Sequence, residues 1–563
     1  MKINFKKEII DKKTTDEEIV NHILKDRGIN NPYEFLNPPL PETIKITDFG
    51  FEKELKKTLK IFEEIKKENK TVIVYTDYDA DGITGGAILW ETLKLLGFTT
   101  HAYVPHRVNE GYGFSKAGID NVNKLYHPSL IISVDHGITA KDKIEYAKSL
   151  GIKVVVTDHH LKPENLPECE AIFHIPELSG SGVAYFFAKA VFEHFAKNLG
   201  DADLRPLREH FQTDYLALAS IGTIADLVPL VGQSRSIAKY GLKAFGKTKR
   251  NGINCIIKEA GIQDKPITPY EVGFIIAPRI NAVGRLEHAI DALDLLCTED
   301  KEKGTKLAQS VGRTNQERQE LVKKAVEEAR LRILDASARQ AQELPKIITL
   351  VSDDWHEGII GLIASKIAEE FYRPTIVMTK SGNFLKGSAR SIPTFHVTDF
   401  LRSLKEHLID VGGHTQAAGF TLEADKLKAF IEAINKTSHD LIKDKDLEKV
   451  MNADIKIPVS RISIRLAELI ENLNPFGVGN PQPVFFSQVK VIDARIFGKN
   501  NDHLKIIVGD KDSQSFPLEL IAFSKADDFN KLSPYQNIDI VYRIEIDRWN
   551  GNERLHGRLI YWQ

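Results

Sequence analysis

The chain has 563 residues, 42% apolar and 27% charged, with a formal net charge of −2; this is the balance of a globular protein too long for one core, and it excludes a uniformly basic nucleic-acid coat. No apolar run approaches the roughly 18 residues of a membrane span, and MKINFKKEIIDKKTTDEEIV has neither the apolar core nor the cleavage site of a secretory signal, so a cytoplasmic protein without membrane association is expected. Cys169, Cys255 and Cys297 are scattered and form no CxxC pattern, which argues against disulfides and structural zinc.

In chain order, a Lys- and Pro-punctuated N-terminal extension (1–50) precedes a helical pattern over 51–70, with Leu55, Leu59, Phe62 and Ile65 on one side. Three short apolar runs follow, TVIVYTD (71–77), SLIISVD (129–135) and IKVVVTDHH (152–160), separated by helical stretches at 85–96 and 139–150. This alternation predicts a parallel, doubly wound α/β sheet whose ligand crevice lies outside the carboxyl ends of the strands. A helical region over 214–226 completes a first domain assigned to 51–300. A polar helix from 301 to about 342, without Gly or Pro after Gly312, reads as a connector (301–343). A second α/β domain (344–450) begins at KIITLVSDDWHEGIIG and reaches GGHTQAAGF (412–420), with a solvated helix or linker over 436–449. Closely spaced alternating strands from near Pro483 predict a small β-barrel within 451–563.

The stretch YTDYDADGITGGAI (75–88) admits a calcium loop, a catalytic metal site or an acidic turn. An EF-hand starting at Asp77 needs Glu at its twelfth position, and residue 88 is Ile. An acidic turn capping a helix from Gly85, with Asp81 or Thr84 as N-cap, stays open on this motif alone. The other strand ends favour metal. Asp77, Asp79 and Asp81, then Asp135, then Asp158, His159 and His160 fall where adjacent parallel strands deliver them to one crevice, an electrostatic cost that bound cations resolve. Carboxylates with imidazoles suit two Mn²⁺ or Mg²⁺ ions, which together support phosphoester hydrolysis.

DYDADG, SVDHG, TDHH and SIGTIADLVPL, in that order, resemble the four motifs of the DHH phosphoesterase superfamily, and the chain is similar to its RecJ branch over nearly its full length. VPHRVNEGYG, SGSGVAYF, APRINAVGRL, WHEGIIGLIASKIA, KGSARS, GGHTQAAGF and NPFGVGNPQPVF extend the match. LKPENLPECEAIFHIPEL departs from it, being shorter than usual and lacking an Asn-Pro near His174. The resemblance implies a DHH domain, a DHHA1 domain and a C-terminal OB-fold. It implies that Asp79, Asp81, Asp135, His159 and Asp226 ligate metal, with Asp135 bridging. Asp77 would ligate or stand beside a metal, and His160 would contact the scissile phosphate or assist proton transfer.

For nucleic acid, GGHTQAAGF offers backbone N–H groups at Gly413 and a donor at His414, or else a tight turn before a helix; the resemblance to DHHA1 favours phosphate. KGSARS supplies Ser388 and Arg390 in a compact turn, PRINAVGR supplies Arg279, Asn281 and Arg285, and VPHRVNEGYG supplies Arg107 and Tyr112. In the barrel, Phe486, Lys505, Arg548 and Trp549 are candidate contacts. The implied activity is a single-strand-specific 5′ to 3′ exonuclease of DNA repair and recombination, releasing 5′-mononucleotides. Two alternatives remain: a DHH phosphodiesterase of short oligonucleotides or cyclic dinucleotides, and a non-catalytic single-strand-binding scaffold. Single-stranded DNA, a single-strand-binding protein and a RecQ-type helicase are the expected partners of a monomer.

Overall fold

The computed structural model describes residues 2–9, 13–107, 109–196, 201–340, 344–511, 517–549 and 552–563, except for the side chains of 201–206, 336–340 and 549. The chain divides into two compact units, one formed by residues 3–284, 288–309 and 452–563, the other by 285–287 and 310–451 together with Lys2.

The first unit contains a five-stranded parallel sheet. Its strands are β1 (Val72–Thr76), β2 (Thr100–Tyr103), β3 (Leu130–Val134), β4 (Lys153–Asp158) and β5 (Ala171–His174), in the order β2-β1-β3-β4-β5. Every residue of β1 and β3 is buried, which is why both read as unbroken apolar runs. Helices α1 (Ala80–Leu95), α2 (Gly180–Phe195) and α3 (Asp214–Ala225) pack on one another. The small residues of ITGGAI bring α1 down onto its own strand, since a Cβ at Gly86 would overlap the Thr76 side chain. Helix α4 (Ala277–Leu286) follows a π-helical turn at Glu271–Ile276.

Helix α5 (Lys301–Gln340) runs unbroken, and the division between the two units falls within it. In the second unit, β6 (Ile348–Val351), β7 (Thr375–Ser381), β8 (Phe384–Arg390), β9 (Asp410–His414) and β10 (Ala417–Glu423) form a mixed sheet ordered β9-β10-β8-β7-β6, with α6 (Ile360–Phe371) packed on β7 and β8. GGHTQAAGF is therefore the tip of the β9–β10 hairpin and not a turn before a helix, because Gly412, Gly413 and His414 pair with Gly419, Ala418 and Ala417. KGSARS likewise lies mostly along β8 where a compact turn was expected, pairing on both sides with β7 and β10.

The remaining strands, β11 (Val450–Lys456), β12 (Phe485–Phe497), β13 (His503–Asp510), β14 (Leu518–Ala522), β15 (Asn537–Trp549) and β16 (Asn552–Trp562), belong to one sheet. It closes into a barrel because β15 pairs both β16 and β12. The N-terminal strand Lys2–Glu8 adds to the edge of the same sheet beside β11, and Ile19, Ile23, Leu24 and Phe35 share the barrel's core with Phe485, Leu504 and Tyr542. Arg235 fastens these pieces to the parallel-sheet domain. Fully buried, its guanidinium donates to the carbonyls of Phe35, Leu473, Asn474 and Pro475 and lies over the Phe35 ring at 3.7 Å. No helix among the described residues is long and apolar enough to cross a membrane.

Candidate metal centre

The acids emerge at the carboxyl ends of β1, β3 and β4 because parallel strands in register end at one edge. The ladder continues one residue past β1 and β3, Asp77 N–H donating to Val134 O and Asp135 N–H to Thr157 O. Helix α1 then starts at Ala80, not Gly85, and its N-cap is Asp79 rather than Asp81 or Thr84. Asp79 Oδ1 accepts from Asp81 N–H (2.9 Å) and Gly82 N–H (3.1 Å), which satisfies two of the first turn's orphan donors and leaves Oδ2 for another partner. The acidic-turn and metal-site readings thus describe one structure: the cap is also a candidate ligand.

Asp81 points the other way, under α2. Its Oδ2 accepts from Gly180 N–H (2.6 Å) and its Oδ1 from Ser181 N–H (2.9 Å), so the positive end of α2 holds a buried carboxylate in place. The approach requires glycine. A Cβ at Gly222 would overlap Asp81 Oδ1, and one at Gly180 would overlap the Asp135 side chain. These supports within SGSGVAYF and SIGTIADL were not singled out from sequence, although Ser179 before a run of small residues is a readable N-cap signal. Asp135 itself adopts a left-handed backbone, φ 69°, a conformation uncommon outside glycine that Asp tolerates better than most residues.

Three overlapping groups of ligand atoms lie within 4.8 Å of one another: Asp77, Asp79 and Asp135; Asp81, His159 and Asp226; and Asp135, His159 and His160. His159 Nε2 stands 3.1 Å from Asp135 Oδ1, 3.5 Å from Asp226 Oδ2 and 3.9 Å from Asp81 Oδ2. Asp77 Oδ1, Asp135 Oδ1 and His159 Nε2 are buried without a hydrogen-bond partner, as atoms awaiting a cation would be.

Electrostatics says the same. Burial and then the charge of Asp79 push Asp77 well above the carboxylate range. Burial and then Asp81, Asp79 and Asp226 do so for Asp135, and burial with Asp81 and Asp79 takes Asp226 up to about 8. Burial also lowers His159, favouring the neutral imidazole a metal needs. Asp158, absent from the predicted ligands, behaves oppositely. Burial raises it, but the His160 side chain at 2.8 Å and the amides of His159, His160 and Ile138 outweigh this and keep it ionised. His160 is correspondingly raised to about 9: burial lowers it, and the hydrogen bond and charge of Asp158 more than compensate. Its other nitrogen faces the Tyr112 hydroxyl at 3.2 Å, and that hydroxyl donates to Asp135 O at 3.1 Å.

Comparison with known proteins identifies the domains that carry this geometry. Residues 71–223 match the DHH family, N-terminal domain; 344–440 match the DHHA1 domain; 453–560 match the RecJ OB domain. The single-stranded-DNA-specific exonuclease RecJ of Haemophilus influenzae is 33% identical over 89% of each chain. The chain belongs to the RecJ family. The RecJ of Bacillus subtilis is also 33% identical over 91% of this chain, which spans 64% of that relative's length. The crystal structure of RecJ from Thermus thermophilus in complex with Mn²⁺ superposes with a TM-score of 0.79 at 26% identity, covering 97% of this chain and 76% of that one.

The residues expected to meet nucleic acid in this RecJ-family chain differ in the contacts they already make. Arg107 lies over the Tyr78 ring at 5.0 Å, and half-exposed Tyr112 reaches the centre through its hydroxyl. Arg279 pairs with Glu259 at 2.7 Å and donates to Ile275 O, while Asn281 Oδ1 accepts the Ala80 amide at 2.7 Å. Arg285 donates to Gly358 O. Ser388 and Arg390 stand side by side on β8 near Gly361 of α6, Arg390 Nη1 donating to Ser388 Oγ. Gly413 and His414 are exposed at the hairpin tip. In the barrel, Phe486 is buried and stacked on Phe5, Lys505 pairs with Glu519 at 2.7 Å, and half-exposed Arg548 pairs with Glu471 and Glu553 at the surface; the side chain of Trp549 lies outside the described residues. Instead, a groove of about 950 Å³ opens beside Ala225 and Leu227, next to Asp226, and is lined by Tyr270, Phe274, Phe476, Arg543 and Arg558.

Proposed function

We propose that this chain is a metal-dependent exonuclease of single-stranded DNA that works from the 5′ end and releases 5′-mononucleotides in DNA repair and recombination. The observation that carries the reading is the pair of ligand groups, Asp77–Asp79–Asp135 and Asp81–His159–Asp226, with three buried ligand atoms left unsatisfied. The donor set, carboxylates with one neutral imidazole, fits Mn²⁺ or Mg²⁺. Two such cations, when bound, supply a water nucleophile of lowered pKa and neutralise charge on the phosphoryl oxygens.

Asp79, Asp81, Asp135, His159 and Asp226 would hold the cations, Asp135, common to two of the three ligand groups, would serve both ions, and Asp77 would contribute its free oxygen. His160, charged and pinned by Asp158, can donate a hydrogen bond to a phosphoryl oxygen or a proton to the departing 3′-oxygen. Arg107 and Tyr112 on the first unit, and Arg285, Ser388, Arg390, Gly413 and His414 on the second, are assigned to nucleic-acid contacts, the arginines as phosphate donors. A monomer in the cytoplasm, working beside a single-strand-binding protein and a RecQ-type helicase, completes the proposal.

The test is digestion of oligonucleotides labelled at either end, with duplex and a dinucleotide as controls, in Mn²⁺ and in chelator. Release of 5′ label first from long single strands, lost in Asp79→Ala and Asp135→Ala while strand binding persists, is expected. Full activity in both variants sinks the ligand assignment, and earlier release of 3′ label overturns the polarity.

A further inference from the structure

The amide of Ala80 is the first donor of α1, and the residue is only 1% exposed, so the amide needs a partner. The cap of its own helix does not provide one: Asp79 Oδ1 is taken by the next two amides, Asp81 and Gly82. The partner comes from 201 residues away, as Asn281 Oδ1 at 2.7 Å. One turn further along α4, Gly284 lies so close to the Tyr78 carbonyl that a Cβ would overlap it. The two contacts grip the backbone on either side of Asp79. Helix α4 is itself anchored, since Arg279 is tied to Glu259 and to the Ile275 carbonyl.

We infer that Asn281 and Gly284 form a clamp on the metal loop, and that Asn281 is a positioning residue for Asp79 and Asp81 and not a contact to nucleic acid. The inference rests on the reading that this loop holds the cations. A single backbone shift at Ala80 moves the cap geometry that orients the Asp79 carboxylate and displaces the next ligand, Asp81, so the cost falls on metal affinity before it falls on strand affinity. Partners that orient ligands without touching metal typically control affinity or activity by about 10- to 100-fold.

The test measures Mn²⁺ binding to the full chain without DNA, by calorimetry, and separately KM and kcat for a long single strand at saturating Mn²⁺. Asn281→Ala is expected to weaken Mn²⁺ binding by about 10- to 100-fold with KM unchanged. Gly284→Ala, which removes no polar group and no conceivable base or phosphate contact, should move the same quantity in the same direction. Asn281→Asp keeps an acceptor for the Ala80 amide and should bind Mn²⁺ more tightly than Asn281→Ala, whereas a nucleic-acid contact made acidic would raise KM. Wild-type Mn²⁺ affinity with raised KM in Asn281→Ala overturns the clamp and leaves the metal centre standing. Failure of the unaltered chain to take up Mn²⁺ overturns the metal reading and the clamp with it. Thermal melts of all three variants identify any that do not fold, and Gly284→Ala with Asn281→Asp then decides.

Discussion

Asp158 Oδ1 lies 2.8 Å from His160 Nδ1 and also accepts from the amides of His159 and His160, while its Oδ2 accepts from Ile138 N–H. The one acid at these strand ends outside the ligand groups thus sets the orientation and charge of the histidine beside them. Asp158→Asn removes the charge that raises His160 and turns one acceptor into a donor. The expected outcome is a fall in kcat of about 10- to 100-fold with single-strand affinity unchanged. Steady-state kinetics beside an equilibrium binding titration checks this; unaltered kcat would remove Asp158 from the mechanism.

Asp135 is buried beside Asp77, Asp79, Asp81 and Asp226, whose charges oppose its ionisation. Crowding of this kind makes the metal-free centre a source of instability. Asp135→Asn should therefore raise Tm in chelator, although it abolishes nuclease activity. Mn²⁺ at about 100 times its Kd should stabilise the unaltered chain by about 2.7 kcal/mol for each ion bound and the variant by much less. Thermal melts with and without Mn²⁺ distinguish the two; a lower Tm for the variant in chelator contradicts the repulsion argument.

Arg235 donates to four carbonyls from two distant segments. Arg235→Ala leaves those acceptors buried and opens a cavity, and the expected loss is about 3–5 kcal/mol. A lowered Tm with unchanged Mn²⁺ affinity is the predicted signature. Retention of the native Tm would show that water replaces the guanidinium at no cost.

Tyr270 and Phe274 are 60% and 70% exposed, stack on each other at 5.0 Å and line the groove that begins beside Asp226. Exposed aromatics in a groove with Arg543 and Arg558 suit unstacked bases, each contact being worth about 1–3 kcal/mol. Tyr270→Ala with Phe274→Ala should weaken binding of a long single strand and leave hydrolysis of a dinucleotide unaffected. Equal losses on both substrates would place the pair's role elsewhere.

The place where the acids gather is legible in the chain itself. Buried parallel strands read as unbroken apolar runs, and strands in parallel register end at one edge, so acids after TVIVY, LIISV and KVVVT had to converge on one crevice. Local chemistry went further only in part: an acidic cap was legible but expected at Asp81 or Thr84, whereas the cap is Asp79, because the glycines of the longer helix starting at Ala80 weaken its helical signal. How the acids are held follows only from the packed fold. Asp81 meets amides 99 and 100 residues away, Ala80 meets Asn281, and the N-terminal strand joins a sheet built from the last hundred or so residues. Such pairings carry no local periodicity or turn chemistry, since they depend on which backbone groups packing leaves unsatisfied. That is why Asn281, Arg279, Lys505 and Arg548, chosen from sequence as contacts to nucleic acid, are engaged within the fold, and why the groove beside Asp226 became visible only once the chain was folded.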